Sequence, residues 1–265
     1  GRLVDVLGRR KAIIGTALVF AVGSIWTSAA DGFSMLIAGR VVVGLGIGVA
    51  SYAVPLYISE IAPPQHRGAL VSLNQLLLTV GIVLSYLVDD LFANTAGSWR
   101  YMFLAGVIPA LVLGVGMFFL PETPSWLTGK GRDAEAIGIL NRIMPGPEAE
   151  IELAAIQQAV PESPASSVKQ LRAPWLRPAL LIGIGIMFVQ QATGINTVIY
   201  YAPTIFEVAG FQSATTAITA TVGVGLVNVL MTMVAIWLVD KVGRKPLLSY
   251  GLIGMTVSLS GLALG

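Results

Sequence analysis

Five side-chain amides, Gln75, Gln190, Gln191, Asn196 and Asn228, sit inside uncharged stretches apolar enough to lie in a bilayer. An amide donates and accepts at once, so such a set suits a neutral polyhydroxylated ligand. An ion would call for fixed counter-charge instead. A polar group facing lipid without a partner is costly, so these side chains must meet either an enclosed ligand or one another. Both uses stand on sequence alone, since polar residues also join membrane helices together. On a straight helix Gln191 and Asn196 lie about 140° apart, at ~100° per residue. They share a face only if the helix is distorted between them. Gly194 can supply that distortion, and Tyr200, four residues after Asn196, shares its face beyond the break.

Charge is sparse and placed at the ends of the apolar stretches, with one exception. Arg40 lies seven residues past Phe33, ~10 Å along a helix, and it either snorkels to the interface or pairs with a buried carboxylate. Asp5, Arg9, Glu60, Arg67, Glu122, Asp240 and Arg244 mix both signs near helix ends. They serve as anchors on the basic side of the membrane, or as charge-assisted pairs that close one side and break when it opens. Gly8 and Gly243, within these charged segments, suit tight turns between packed helices. The absence of Cys and the lone His66 exclude thiol chemistry, disulfides and a Cys or His metal cluster. No phosphate-binding loop is present: Gly44, Gly46 and Gly48 lie in a continuous apolar run with no following Lys and read as helix-packing positions. No cofactor is expected.

The elements that position these residues follow from composition. The chain is 55% hydrophobic and 11% charged over 265 residues, with a mean hydropathy of +0.80, too little polar surface for a soluble globule. Seven apolar runs are near or above the ~20 residues needed to cross a bilayer. They are Ala12 to Ala30, Phe33 to Ser59, Gly68 to Val88, Tyr101 to Leu120, Ala179 to Phe206, a run from near Ala214 to Val239, and Pro246 to Gly265. Lys and Arg crowd alternate connections, including Arg10, Lys130, Lys169, Arg172 and Lys241, whereas the others hold only Arg100. The first set therefore faces the cytoplasm and the first run leads outward. The basic residues are juxtamembrane and mixed with acids, so no nucleic acid partner is implied. Both ends read as cut, one inside a charged motif and the other inside an apolar run.

Residues 121–178 form the single large polar segment. Ile137, Leu140 and Ile143, then Ile151, Ala155 and Ile156, recur at helical spacing, giving two or three short amphipathic helices. Pro145, Pro147, Pro161 and Pro164 keep a flexible linker as the other reading. The segment divides the chain into a bundle over 1–120 and another over 179–265. Asp5, Gly8, Arg9 and Arg10 match Asp240, Gly243, Arg244 and Lys245 in type and spacing, the mark of an internal repeat.

An opening motif and six further ones in register give the resemblance. Gly1 to Arg10 opens the series. Arg40 with Gly44 is next, followed by Pro55, Ser59, Glu60, Pro63, Arg67 and Gly68. Trp99 and Arg100 come before Pro121 to Leu127. Then come Gln190 to Asn196 with Tyr200 and Tyr201, and finally Asp240 to Lys245. The chain resembles the sugar porter family of the major facilitator superfamily over essentially its whole length. The resemblance implies an all-α membrane transporter fold in which the seven spans are the family's third to ninth helices. The family's first two and last three helices then lie outside this chain. It further implies that positions matching Gln75, Gln190, Gln191, Asn196 and Asn228 bind sugar, and that Tyr200 matches an aromatic near the outer gate. In proton-coupled members the residue matching Arg40 neighbours an Asp of the first helix, and positions matching Asp5, Arg9, Glu60, Arg67, Glu122, Asp240 and Arg244 form a cytoplasmic gate. The implied function is transport of a neutral hexose or pentose by alternating access, as uniport or proton symport. The implied protein is a monomer in the lipid bilayer of a bacterial cytoplasmic membrane. A sugar sensor on a transporter fold is the alternative, and a membrane enzyme finds no convergent nucleophile, base or metal cluster.

Overall fold

The computed structural model describes residues 2–159, 174, 176–210 and 214–264, and among these every regular element is a helix. Lys169, Arg172, Pro161, Pro164 and Phe211 to Ser213 lie outside the described residues. The chain forms two compact units. One comprises Gly1–Leu77 with Leu91–Glu162, and the other Leu78–Asp90 with Ser163–Gly265.

In the first unit, α1 (Arg2–Leu7) meets α2 (Arg9–Ser28) at Gly8, whose φ of 93° and ψ of 157° suit glycine alone. Packed against α2 is α3 (Phe33–Ile61), and small residues set their separation. A methyl on Gly23 would sit 2.8 Å from the Val43 backbone nitrogen, and one on Gly39 would sit 2.9 Å from the Thr27 nitrogen. Lipid gives apolar side chains no reason to prefer protein, so this backbone approach and its dispersion contacts hold the pair. Gly23→Ala should therefore destabilise the unit by about 1–3 kcal/mol through overpacking, read as a lower melting temperature in detergent. Gly46 faces the same seam, 3.3 Å from the Phe20 nitrogen on the same construction, but Gly44 and Gly48 meet nothing within 4 Å. Of that glycine series only Gly46 is a close-packing position here.

The long helix α4 (Arg67–Phe92) follows, its first turns in one unit and Leu78–Asp90 in the other. The expected span over Tyr101 to Leu120 is two helices, α5 (Ser98–Ala105) and α6 (Val107–Phe119), with Gly106 between them. Pro109 is the cause: it offers no N–H to the Ala105 carbonyl four residues earlier and its ring crowds that carbonyl. Together the two halves still cover 22 residues, enough to cross.

The polar segment holds three helices, α7 (Pro124–Gly129), α8 (Asp133–Ile143) and α9 (Pro147–Ala159). Leu140, Met144 and Ala149 form a small core with Ile137, Ile143, Leu153 and Ile156 around it. On α9 the apolar face differs from the expected one. Ile151 is 68% exposed, and Ala149 and Leu153 take the inward positions. Pro147 starts the helix, so Ala149 falls in its first turn and the inward stripe runs through Leu153 and Ile156.

The second unit holds α10 (Arg177–Ala192), α11 (Ile195–Val208), α12 (Ala214–Val242) and α13 (Arg244–Leu264). Among the described residues six segments are long and apolar enough to cross a membrane. The seventh expected run forms α13, 21 residues long and without a charged residue after Lys245. At the α12–α13 junction Gly243 has φ 89°, as Gly8 has 93° at the start of α2. The repeat visible in the letters is thus repeated in backbone form.

Candidate functional site

Two of the amides, Gln191 and Asn196, meet where the helix breaks. Thr193 ends α10 and Gly194 turns left-handed at φ 73°, ψ 11°, so α11 restarts at Ile195 on a new axis. Across that turn the Asn196 Nδ2 donates to Gln191 Oε1 at 2.8 Å. Two side chains that a straight helix holds far apart are therefore neighbours. Both are exposed in the described structure, as are Gln190 and Tyr200, so their remaining donors and acceptors are open. Asn228 lies on α12, where its backbone carbonyl accepts from Thr232 Oγ1 at 2.8 Å and its side-chain oxygen lies 3.5 Å from the same hydroxyl. Gln75 is exposed on the first turns of α4, among the residues of the first unit. The Gln191–Asn196 pair offers uncharged donors and acceptors. No cluster of His, Cys, Asp or Glu able to hold a metal exists among the described residues.

Arg40 is exposed on α3, with its guanidinium 5.3 Å from the centroid of the Phe103 ring. A cation over an aromatic face keeps some electrostatic stabilisation inside an apolar span. Among the described residues Arg40 has no carboxylate partner.

A second constellation ties the ends of the first unit's helices together. Arg9 donates through Nη2 and Nε to the two Glu60 oxygens at 3.0 and 3.1 Å, and Nη1 reaches Asp5 at 3.1 Å. The Arg9 and Glu60 side chains are each 13% exposed, so the pair is largely shielded from solvent. Thr123 Oγ1 adds a 2.6 Å bond to Glu60. Glu122 Oε1 accepts from the backbone N–H groups of Arg10 and Thr123 at 3.0 and 3.1 Å, placing a carboxylate at the positive end of α2. Arg10 in turn donates to the Met117 and Phe118 carbonyls, which end α6 with no helical partner. Arg67 pairs with Glu152 of α9 at 3.1 Å. Beside this network Arg132 bonds Glu135, whose carboxylate raises the guanidinium's pKa and keeps it charged. Every one of these pairs lies within the first unit. Asp240 and Arg244 occupy the matching places in α12 and α13, and their side chains lie outside the described residues.

Sequence reasoning missed several partners. Trp126 Nε1 donates to the Asp5 carbonyl at 2.9 Å, the Tyr57 hydroxyl to the Pro121 carbonyl at 2.8 Å, and Glu152 completes Arg67. Thr123 and Trp126 sit in a motif already singled out, so their presence there was a signal. Glu152 carried none.

The family described as sugar (and other) transporter matches residues 1–265. YwtG of Bacillus subtilis, named for metabolite transport, is 45% identical over 264 residues, which cover 100% of this chain and 57% of YwtG. The galactose-proton symporter of Escherichia coli K12 is 42% identical over 98% of this chain and 56% of its own length. Among solved structures, the partially occluded inward-open xylose transporter XylE of E. coli superposes with a TM-score of 0.80. Its identity is 31%, covering 93% of this chain and 59% of XylE. The chain thus spans little more than half the length of the relatives it matches.

Proposed function

This chain belongs to the sugar porter family of the major facilitator superfamily, and from that premise we propose that the protein carries a neutral monosaccharide across the membrane by alternating access. The observation that carries the reading is the Gln191–Asn196 pair at the Gly194 break. A half-helix start inside a membrane span presents unpaired backbone and side-chain polar groups to a cavity, and transporters build substrate sites at such breaks. Neutral amides match hydroxyl groups in both donor and acceptor capacity, and they leave a charged solute without a counter-ion. Gln75, Gln190, Gln191, Asn196 and Asn228 are the proposed sugar contacts, with Tyr200 closing over them. The reading treats 1–120 and 179–265 as the two bundles and 121–178 as the cytoplasmic connection. It treats the protein as a transporter rather than an enzyme.

The named relatives include a galactose-proton symporter and the proton:xylose symporter XylE. Proton coupling through Arg40 is the corresponding proposal for this protein. Bacterial relatives support a place in a bacterial cytoplasmic membrane, and the proposal takes the monomer surrounded by lipid as the working unit. The charge network about Arg9, Glu60, Arg67 and Glu122, with Asp5, Gly8 and the repeat-related Asp240, Gly243 and Arg244, is the proposed cytoplasmic gate.

The test is uptake of labelled hexoses and pentoses into proteoliposomes containing the protein at the full length of its relatives, with and without an imposed pH gradient. Saturable uptake of one sugar is expected, accelerated by the gradient if the protein is a symporter. Gln190→Ala should weaken sugar binding about tenfold through lost hydrogen bonds while leaving membrane insertion intact. Unchanged binding in that variant removes Gln190 from the site.

A further inference from the structure

Pro203 lies inside α11 and has no N–H, so the carbonyl of Ile199, four residues earlier, has no helical donor. Within a membrane span that orphan acceptor is costly unless something else reaches it. The Tyr86 hydroxyl does, donating to the Ile199 oxygen at 2.8 Å from α4. Tyr86 is 8% exposed, and Gly225 of α12 makes room for its ring: a methyl at that glycine would lie 3.1 Å from the ring edge and 3.0 Å from Val83. Tyr86, Ile199, Pro203 and Gly225 all belong to the second unit.

Ile199 sits between Asn196 and Tyr200 on the half-helix that begins at the Gly194 break. That half-helix is freed at its start by a left-handed glycine and weakened in its middle by a proline. Its neighbour across the break, α10, bonds to it through the Gln191–Asn196 pair. We propose that Tyr86 is a positioning residue for the sugar site. Its hydroxyl replaces the donor that Pro203 removes and so fixes the rotation and depth of α11, and with them the place of Asn196. The consequence for sugar rests on the function proposed above; the bond itself does not.

The missing proton donor gives a direct test, because Pro203→Ala restores a backbone N–H to the Ile199 carbonyl and makes the tyrosine hydroxyl redundant. Hydrogen exchange of the peptide spanning 195–208 and sugar affinity are measured in Tyr86→Phe, Pro203→Ala and the double variant of the purified protein. Tyr86→Phe alone should speed exchange and weaken sugar binding, each about tenfold, as expected for a half-buried carbonyl left without its partner. In the Pro203→Ala background the same change should alter either quantity by about twofold or less. Equal effects of Tyr86→Phe in both backgrounds overturn the proposal, since the ring would then act by packing and not through its hydroxyl. Coupled exchange with unaltered sugar affinity overturns the positioning role. If Gln190→Ala and Asn196→Ala also leave affinity untouched, the site reading fails while the Tyr86–Ile199 bond stands.

Discussion

Gly8→Ala should cost the first unit on the order of 3 kcal/mol or more, read as a marked fall in thermal stability of the detergent-solubilised protein. Two effects combine. With φ 93° and ψ 157° the residue occupies a region essentially closed to other amino acids, a strain of about 1–3 kcal/mol. The added methyl would also collide with the Glu122 carboxylate and come within 3.4 Å of the Trp126 ring. Glu122 must then withdraw from the N–H groups of Arg10 and Thr123, which lose a charged acceptor at the start of α2 and of α7. Gly243→Ala is the control. Its φ of 89° imposes backbone strain, but nothing lies within 4 Å of the position a methyl would take, so a smaller loss of about 1–2 kcal/mol is expected. Equal melting of Gly8→Ala and the parent protein would show that the junction relaxes freely and that the clash has no weight.

Glu60→Ala is expected to be the most damaging single change in the charge network, at roughly 2–4 kcal/mol. Arg9 would keep Asp5, which is 56% exposed, and lose both bonds to its shielded partner, while Thr123 would lose its acceptor. Much of the cost is the uncompensated guanidinium left behind. Arg9→Ala combined with Glu60→Ala should therefore be milder than the sum of the two single changes. The outer pair Asp31–Arg100 provides the contrast. Its oxygen–nitrogen distance is 3.5 Å and Asp31 is 91% exposed, so Asp31→Ala should stay within about 0.5 kcal/mol. Strict additivity at Arg9 and Glu60, measured by the same melts, would mean that the two charges act independently. If the network is also an inner gate, Arg67→Ala should change how readily cytoplasmic probes reach the interior, and unchanged accessibility would confine it to a structural role.

The break at Gly194 was legible because it rests on local stereochemistry. Two polar residues five apart inside an apolar run demand a distortion, and one glycine lies between them. The same holds for Gly8 and Gly243, where charged letters recur at matching spacing around a residue free to take positive φ. Span boundaries were legible as runs without charge, but the interruption at Gly106 was not. Pro109 was in view, yet prolines also sit within unbroken helices, as Pro55 does in α3, so its presence alone does not fix a break. The inward face of α9 was misread because Ile151 carries the larger side chain, whereas the packing against α8 selects Ala149 and Leu153. Partners such as Glu152 for Arg67, or the Tyr86 hydroxyl for Ile199, lie 85 and 113 residues apart in the chain. Spacing holds no information about such pairs. The proline that creates the need at Ile199 is visible in the letters, but the residue that answers it is not.

The seam between α2 and α3 bears on how the chain is made. Only Ala29 to Gly32 separate the two helices, and Gly23, Gly39 and Gly46 let them touch almost backbone to backbone. Contacts so near in sequence form early and quickly. This hairpin can dock as soon as its second arm leaves the ribosome, giving the later spans a finished surface on which to assemble.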